Sequence, residues 1–164
     1  MESGTKKNAT PALDKVAHIG IAVRNLDEAL EVWRDKLGAE VEAVKAANQR
    51  FYEDFGALDI VQMEALWDTS ADAMCVHPGW DALVGWDAIR TSWAGIFDST
   101  MLMHFNIRYV NVAVRGDTAW VTCAEHISSV LQGRASNFGI LATNIFVRTS
   151  QGWKLSAHHA SSGL

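Results

Sequence analysis

At 164 residues and 18.0 kDa, with 49% hydrophobic and 20% charged residues, the chain has the length and balance of one globular domain able to bury a core. A net charge of −5 and a pI near 5.6 argue against a nucleic-acid or anionic-membrane partner. Only two cysteines occur, Cys75 and Cys123, each inside an apolar run, which excludes a disulfide framework and reads as two small buried hydrophobes. The polar start, Met1 to Pro11, has no apolar h-region, and no run approaches the roughly 18 apolar residues of a membrane span, so a cytoplasmic location is expected.

Residues 1–12 read as a disordered tail. Val16 to Val23 is a short β-type run, after which Asn25 caps a helix with Glu28 following. Its stripe is Leu26, Leu30, Trp33 and Leu37, and Gly38 closes it. A second helix carries Val44, Ala47, Phe51 and Phe55 on one face and ends at Gly56. Asp59, with Gln62 following, caps a third helix that buries Ile60, Met63 and Trp67. The stretch Ala73 to Trp80 is a short apolar strand stopped by His77-Pro78-Gly79, and a fourth helix runs from Trp86 to Phe97.

From Met103 onward the period is two. Strands are predicted at Phe105 to Val114, Ala119 to Leu131, Asn137 to Thr149 and Trp153 to Ser161, separated by Gly-containing turns. Helices followed by a meander of long strands predict an α+β fold. The expected form is a curved antiparallel sheet packed against N-terminal helices, with an extra βα unit in front. The expected division is a tail at 1–12, an appended strand-helix segment at 13–44 and the main domain at 45–164.

His77 stands at a strand end beside a turn, where an imidazole can look into a pocket and act as a general base; the alternative is a bond that fixes the turn backbone. Asn144 shares a strand face with Phe138, Ile140, Ala142 and Phe146. An amide there needs a partner, either a substrate oxygen or a neighbouring strand. In the last strand strict alternation puts His159 inside with Trp153, Leu155 and Ala157, and His158 outside. Glu125 lies on the face of Ala119, Val121, Cys123 and Ile127 and is expected to enter the cavity, with His126 pointing away; His104 carries a weaker signal. Trp67, Trp80 and Trp93 are expected to shape an apolar pocket, with a core role placed ahead of it for Trp86 and Trp93 and the pocket ahead for Trp80. No HxH, HExxH or Cys-rich spacing occurs, so no metal is expected.

Two resemblances follow from these residues. VAHIGIAVRNLDEALEVWRDKLGAEVEAV, about residues 15–44, resembles the opening strand and helix of vicinal oxygen chelate proteins, which implies a metal-ligand role for His18 and a metal-dependent epimerase as one reading. Nothing downstream continues that pattern, so His18 is read as structural. From about Lys45 to Ser162, the segments FYEDFGALDIVQMEALW, CVHPGWDALVGWDAIRTSW, ATNIFVRTSQGWKL and HHAS resemble the SnoaL-like branch of the nuclear transport factor 2-like superfamily, the cone fold shared with ketosteroid isomerase. That resemblance implies that His77 stands at the isomerase's general-base position and Asn144 at that of its protonated acid. Its hydroxyl-donating tyrosine falls at or beside Phe51, with Tyr52 one step off.

The expected function is a small cofactor-independent enzyme that moves protons on an apolar, carbonyl-bearing ligand as an isomerase, cyclase or dehydratase. In it His77 is the base, Asn144 holds the oxyanion, and His159 and Tyr52 assist. The alternative is a non-catalytic binding or oligomerisation domain, akin to the association domain of calcium/calmodulin-dependent kinase. A homodimer is expected through the convex sheet face at Val110, Val112 and Thr122.

Overall fold

The computed structural model describes residues 25–163. Helix α1 (Leu26–Gly56) starts where the sequence places it, with the Asn25 side chain accepting from the backbone N–H groups of Asp27 at 3.0 Å and Glu28 at 3.3 Å. It does not stop at Gly38. The two helices expected on either side of that glycine are one helix of 31 residues. A terminating glycine takes positive φ, which Gly38 does not, and a glycine inside a helix costs only about 1 kcal/mol relative to alanine, too little to break a run of good helix formers. The tail expected at 1–12 and the strand expected at 16–23, with His18, lie outside the described residues.

Asp59 caps α2 (Ile60–Leu66), accepting from the N–H groups of Val61 and Gln62 at 3.0 Å each. The chain then enters β1 (Met74–Val76), turns at His77 to Trp80, and returns through β2 (Leu83–Val84). Gly79 has φ +80°, a conformation open to glycine, and this lets the turn close immediately after the strand. Helix α3 (Trp86–Ser99) buries Trp86, Ile89, Ser92, Trp93 and Phe97 and passes without a loop into β3 (Thr100–Arg115). That strand begins at Thr100 rather than Phe105. The meander continues through β4 (Thr118–Leu131), β5 (Arg134–Thr149) and β6 (Gly152–Ser162).

The fold is α+β, a curved six-stranded sheet ordered β2-β1-β6-β5-β4-β3, antiparallel except where β1 lies beside β6. Phe51 and Phe55 of α1 meet Trp93 of α3 edge to face at 5.9 and 4.6 Å, over Val121, Cys123, Ala142 and Phe146 of the sheet. Glu40 ties α1 to the far end of the sheet, accepting from Arg148 at 2.6 Å and from the Trp153 indole at 3.1 Å.

Two bulges redirect side chains. In β6, Leu155 pairs with Phe146 but Ala157 pairs with Ile145, so Ser156 is an extra residue and the facing pattern beyond it slips by one. In β3 the register shifts between Arg108 and Asn111, where Tyr109 takes φ +55°. The second bulge corrects the expected convex face. Val112 packs on the core and Val110 lines a groove beside α1, while Thr122 is exposed.

Candidate active site

Between α3, the β1 turn and the concave sheet lies a cavity of about 460 Å³, walled by Phe55, Trp93, Ile96, Ile127 and Phe138. Three ionisable side chains, His77, Glu125 and His158, converge on it from three different strands or strand ends.

His77 arrives because β1 stops one residue before it. Its Nε2 lies 2.9 Å from the Ser92 hydroxyl oxygen, and that hydroxyl donates to the Ile89 carbonyl at 2.7 Å. The imidazole is therefore the donor to Ser92. Edge-on contacts with Trp80 at 5.0 Å and Trp93 at 4.6 Å enclose the ring, and burial lowers its pKa to about 4.

Glu125 is 2% exposed, and its Oε1 accepts a 2.7 Å hydrogen bond from the Tyr52 hydroxyl. Burial raises its pKa to about 7, against the smaller opposing pull of that bond. Its second oxygen makes no hydrogen bond within the protein, and the residue lines the cavity. His158, 2% exposed, lines the cavity and places Nδ1 at 2.6 Å from the Asn144 side-chain oxygen, while its other nitrogen makes no hydrogen bond within the protein. Burial first, then the neighbouring His77 and His159, lowers its pKa to about 3. Both imidazoles are neutral at pH 7 while Glu125 is poised between its two forms. Burial pushes the thiols of Cys75 and Cys123 up to about 12 and about 11, so neither is a nucleophile at neutral pH.

Several expected site residues come together here and others do not. His77, Glu125, Trp80 and Trp93 line the cavity, and His77 bonds Ser92 through its side chain rather than the turn backbone. Tyr52 reaches the site through Glu125. Asn144 is fully buried, but its NH₂ is committed to Asn48 Oδ1 at 2.8 Å and the Tyr52 oxygen at 3.3 Å, and its oxygen to His158. It stands behind the site, not in it. Trp67 is a core residue tilted against Trp86 at 5.9 Å, because its backbone bridges Leu155 near the other end of β6. The last-strand histidines are the reverse of the expectation: His158 is inside and His159 is exposed, since the Ser156 bulge shifts the alternation.

Sequence reasoning missed Asn48, Ser92 and His158. Asn48 was within reach, being four positions from both Val44 and Tyr52 on the buried face of α1. Ser92 sits among the buried positions of α3. No local signal marks the bulge that brings in His158.

A larger groove of about 790 Å³ runs between α1 and β3, but Lys45, Glu53 and His104 on its rim are solvated, and among the described residues Tyr52 is its only buried ionisable group. Among the described residues no group of three or more His, Cys, Asp or Glu is placed to hold a metal ion, and no helix is long and apolar enough to cross a membrane.

A family model described as a SnoaL-like domain matches residues 44–164. The chain is similar to a Streptomyces avermitilis protein of the nuclear transport factor 2-like family, provisionally named a dehydratase. Identity is 41% over 77% of this chain and 98% of that one, with a TM-score of 0.74. It is also similar to a Thiobacillus denitrificans protein provisionally named a calcium/calmodulin-dependent protein kinase type II association domain, at 28% identity, 73% and 94% coverage and TM-score 0.65. A ketosteroid isomerase-like protein from Erwinia carotovora atroseptica shares the fold at 21% identity, 75% and 95% coverage and TM-score 0.65. No curated protein matches the chain at a significant level. The family match begins at residue 44 and leaves the segment resembling a vicinal oxygen chelate module outside it.

Proposed function

The chain belongs to the SnoaL-like domain family, and from the cavity its fold builds we infer a small enzyme that moves protons on an apolar, carbonyl-bearing molecule. The reaction class is isomerisation, cyclisation or dehydration. The observation that carries this reading is the convergence of Glu125, His77 and His158 on one apolar cavity.

An acid/base group works best when its pKa lies near the operating pH, and Glu125 at about 7 meets that condition. Ionised Glu125 takes a proton from the carbon beside the substrate carbonyl and returns it to the leaving hydroxyl, which the open nitrogen of His158 holds in place. The C–H and C–O bonds break, a C=C bond forms and water leaves. In an isomerisation the proton returns to another carbon instead. Both courses are redox-neutral and consume no cofactor. His77 and Trp80 close the opposite side of the substrate, His77 in place of the general-base role that its sequence position implies. Neutral imidazoles, and a lining that among the described residues holds no Lys or Arg, favour an uncharged ligand.

The test is conversion of a β-hydroxy aryl ketone to its conjugated enone, followed by ultraviolet absorbance. Glu125→Gln, which keeps volume, is expected to lose about 10² to 10⁴ in turnover with the fold intact. Undiminished turnover in that variant overturns the role of Glu125. Binding of aryl ketones without turnover by the wild type favours a non-catalytic ligand-binding or oligomerisation domain, a reading supported by the likeness to the kinase association domain.

The chain is further read as a homodimer joined through the outer sheet face. There Trp120 and Leu141 stay 37% and 46% exposed on neighbouring strands, apolar surface that a second copy would cover.

A further inference from the structure

His158 meets the cavity with one nitrogen, and the choice of which nitrogen carries the proton is made by side chains behind it. Three hydrogen bonds run in series: Tyr52 donates to Glu125 at 2.7 Å, Asn144 Nδ2 lies 3.3 Å from the Tyr52 oxygen, and Asn144 Oδ1 lies 2.6 Å from His158 Nδ1. The Tyr52 proton is committed to Glu125, so toward Asn144 its oxygen can only accept. The group of Asn144 facing Tyr52 is therefore its NH₂, which Asn48 Oδ1 also engages at 2.8 Å. The carbonyl oxygen is left on the His158 side. A carbonyl accepts and cannot donate, so the proton of the neutral ring sits on Nδ1.

We propose that Asn144 is a positioning residue: held by Asn48 and Tyr52, it fixes His158 as the Nδ1–H tautomer and turns the Nε2 lone pair into the cavity. A purely packing role would leave this position apolar, as are its face neighbours Ile140, Ala142 and Phe146. Instead a fully buried carboxamide there spends both of its polar atoms on orienting other side chains.

The proposal rests on the proton-transfer reading of the cavity but is measured independently of turnover. Long-range ¹H–¹⁵N correlation spectra of the full chain, recorded at pH 8 with His158 assigned by its loss in His158→Gln, report the protonation of each ring nitrogen. The wild type is expected to show a protonated Nδ1 and a bare Nε2. Asn144→Leu is expected to move the ring to the Nε2–H form or a mixture, and Asn144→Asp, which keeps the acceptor, to hold the proton on Nδ1. An Nε2–H ring in the wild type, or an unchanged ring in Asn144→Leu, overturns the proposal. If the leucine variant does not fold, the wild-type and aspartate spectra decide alone. Should the tautomer be as expected while His158→Gln converts the aryl ketone as fast as wild type, the proton-transfer reading falls and the orienting geometry stands.

Discussion

Glu125 and the two buried histidines pull stability in opposite directions with pH. His77 and His158 have folded pKa values of about 4 and about 3 against an ordinary 6.5, so below pH 6.5 the unfolded chain takes up protons that the native state refuses. Their contribution is complete above 6.5 and is lost as pH falls toward those values. Glu125 is raised from 4.5 to about 7, so its contribution is complete below 4.5 and is lost as pH rises to 7. Between 4.5 and 6.5 two histidines oppose one glutamate, leaving a net slope of about 1.4 kcal/mol per pH unit in favour of higher pH. Tm is therefore expected to peak near pH 6.5 and to fall on the acid side. Glu125→Gln is expected to remove the decline from 6.5 to 7 and to steepen the acid limb, as scanning calorimetry across pH 4.5 to 7.5 can check. Curves that stay flat and coincide in both proteins would sink this account.

At the scale of elements, Gly38 separates two descriptions of the first helix. If it were the end of a helix, alanine there would be strained. In an unbroken α1, with nothing within 4 Å of an added Cβ, Gly38→Ala relieves backbone entropy and is expected to stabilise by about 0.5–1 kcal/mol with a gain in far-ultraviolet helicity. A loss of helicity restores the two-helix reading. The caps at Asn25 and Asp59 were legible because each depends on one side chain and the next few N–H groups. Gly38 was misread because the same residue type is tolerated inside a helix, and only backbone φ distinguishes the two uses. The inward histidine was misread for a different reason: one extra residue in β6 reverses every later side chain, and Ser156 carries no local mark of its bulge.

At the scale of the molecule, the outer sheet face remains uncovered in a single chain. The homodimer reading predicts sedimentation at twice the 18.0 kDa chain mass at micromolar concentration, and a shift toward the monomer on Leu141→Lys, which puts a charge in the apolar area. A wild-type monomer at that concentration removes the dimer. A dimer unaffected by Leu141→Lys places the interface elsewhere.

The sequence by itself determined the α+β class, the meander, most helix limits and the arrival of His77 and Glu125 at a common interior. Those features follow from periodicity, caps and turns that act over a few residues. Only the tertiary structure decided that His158 and not His159 faces the cavity, that Asn144 contacts His158 from behind, and that Trp67 belongs to the core. These depend on strand register and on contacts between residues as distant as Asn48 and Asn144, which no local pattern encodes.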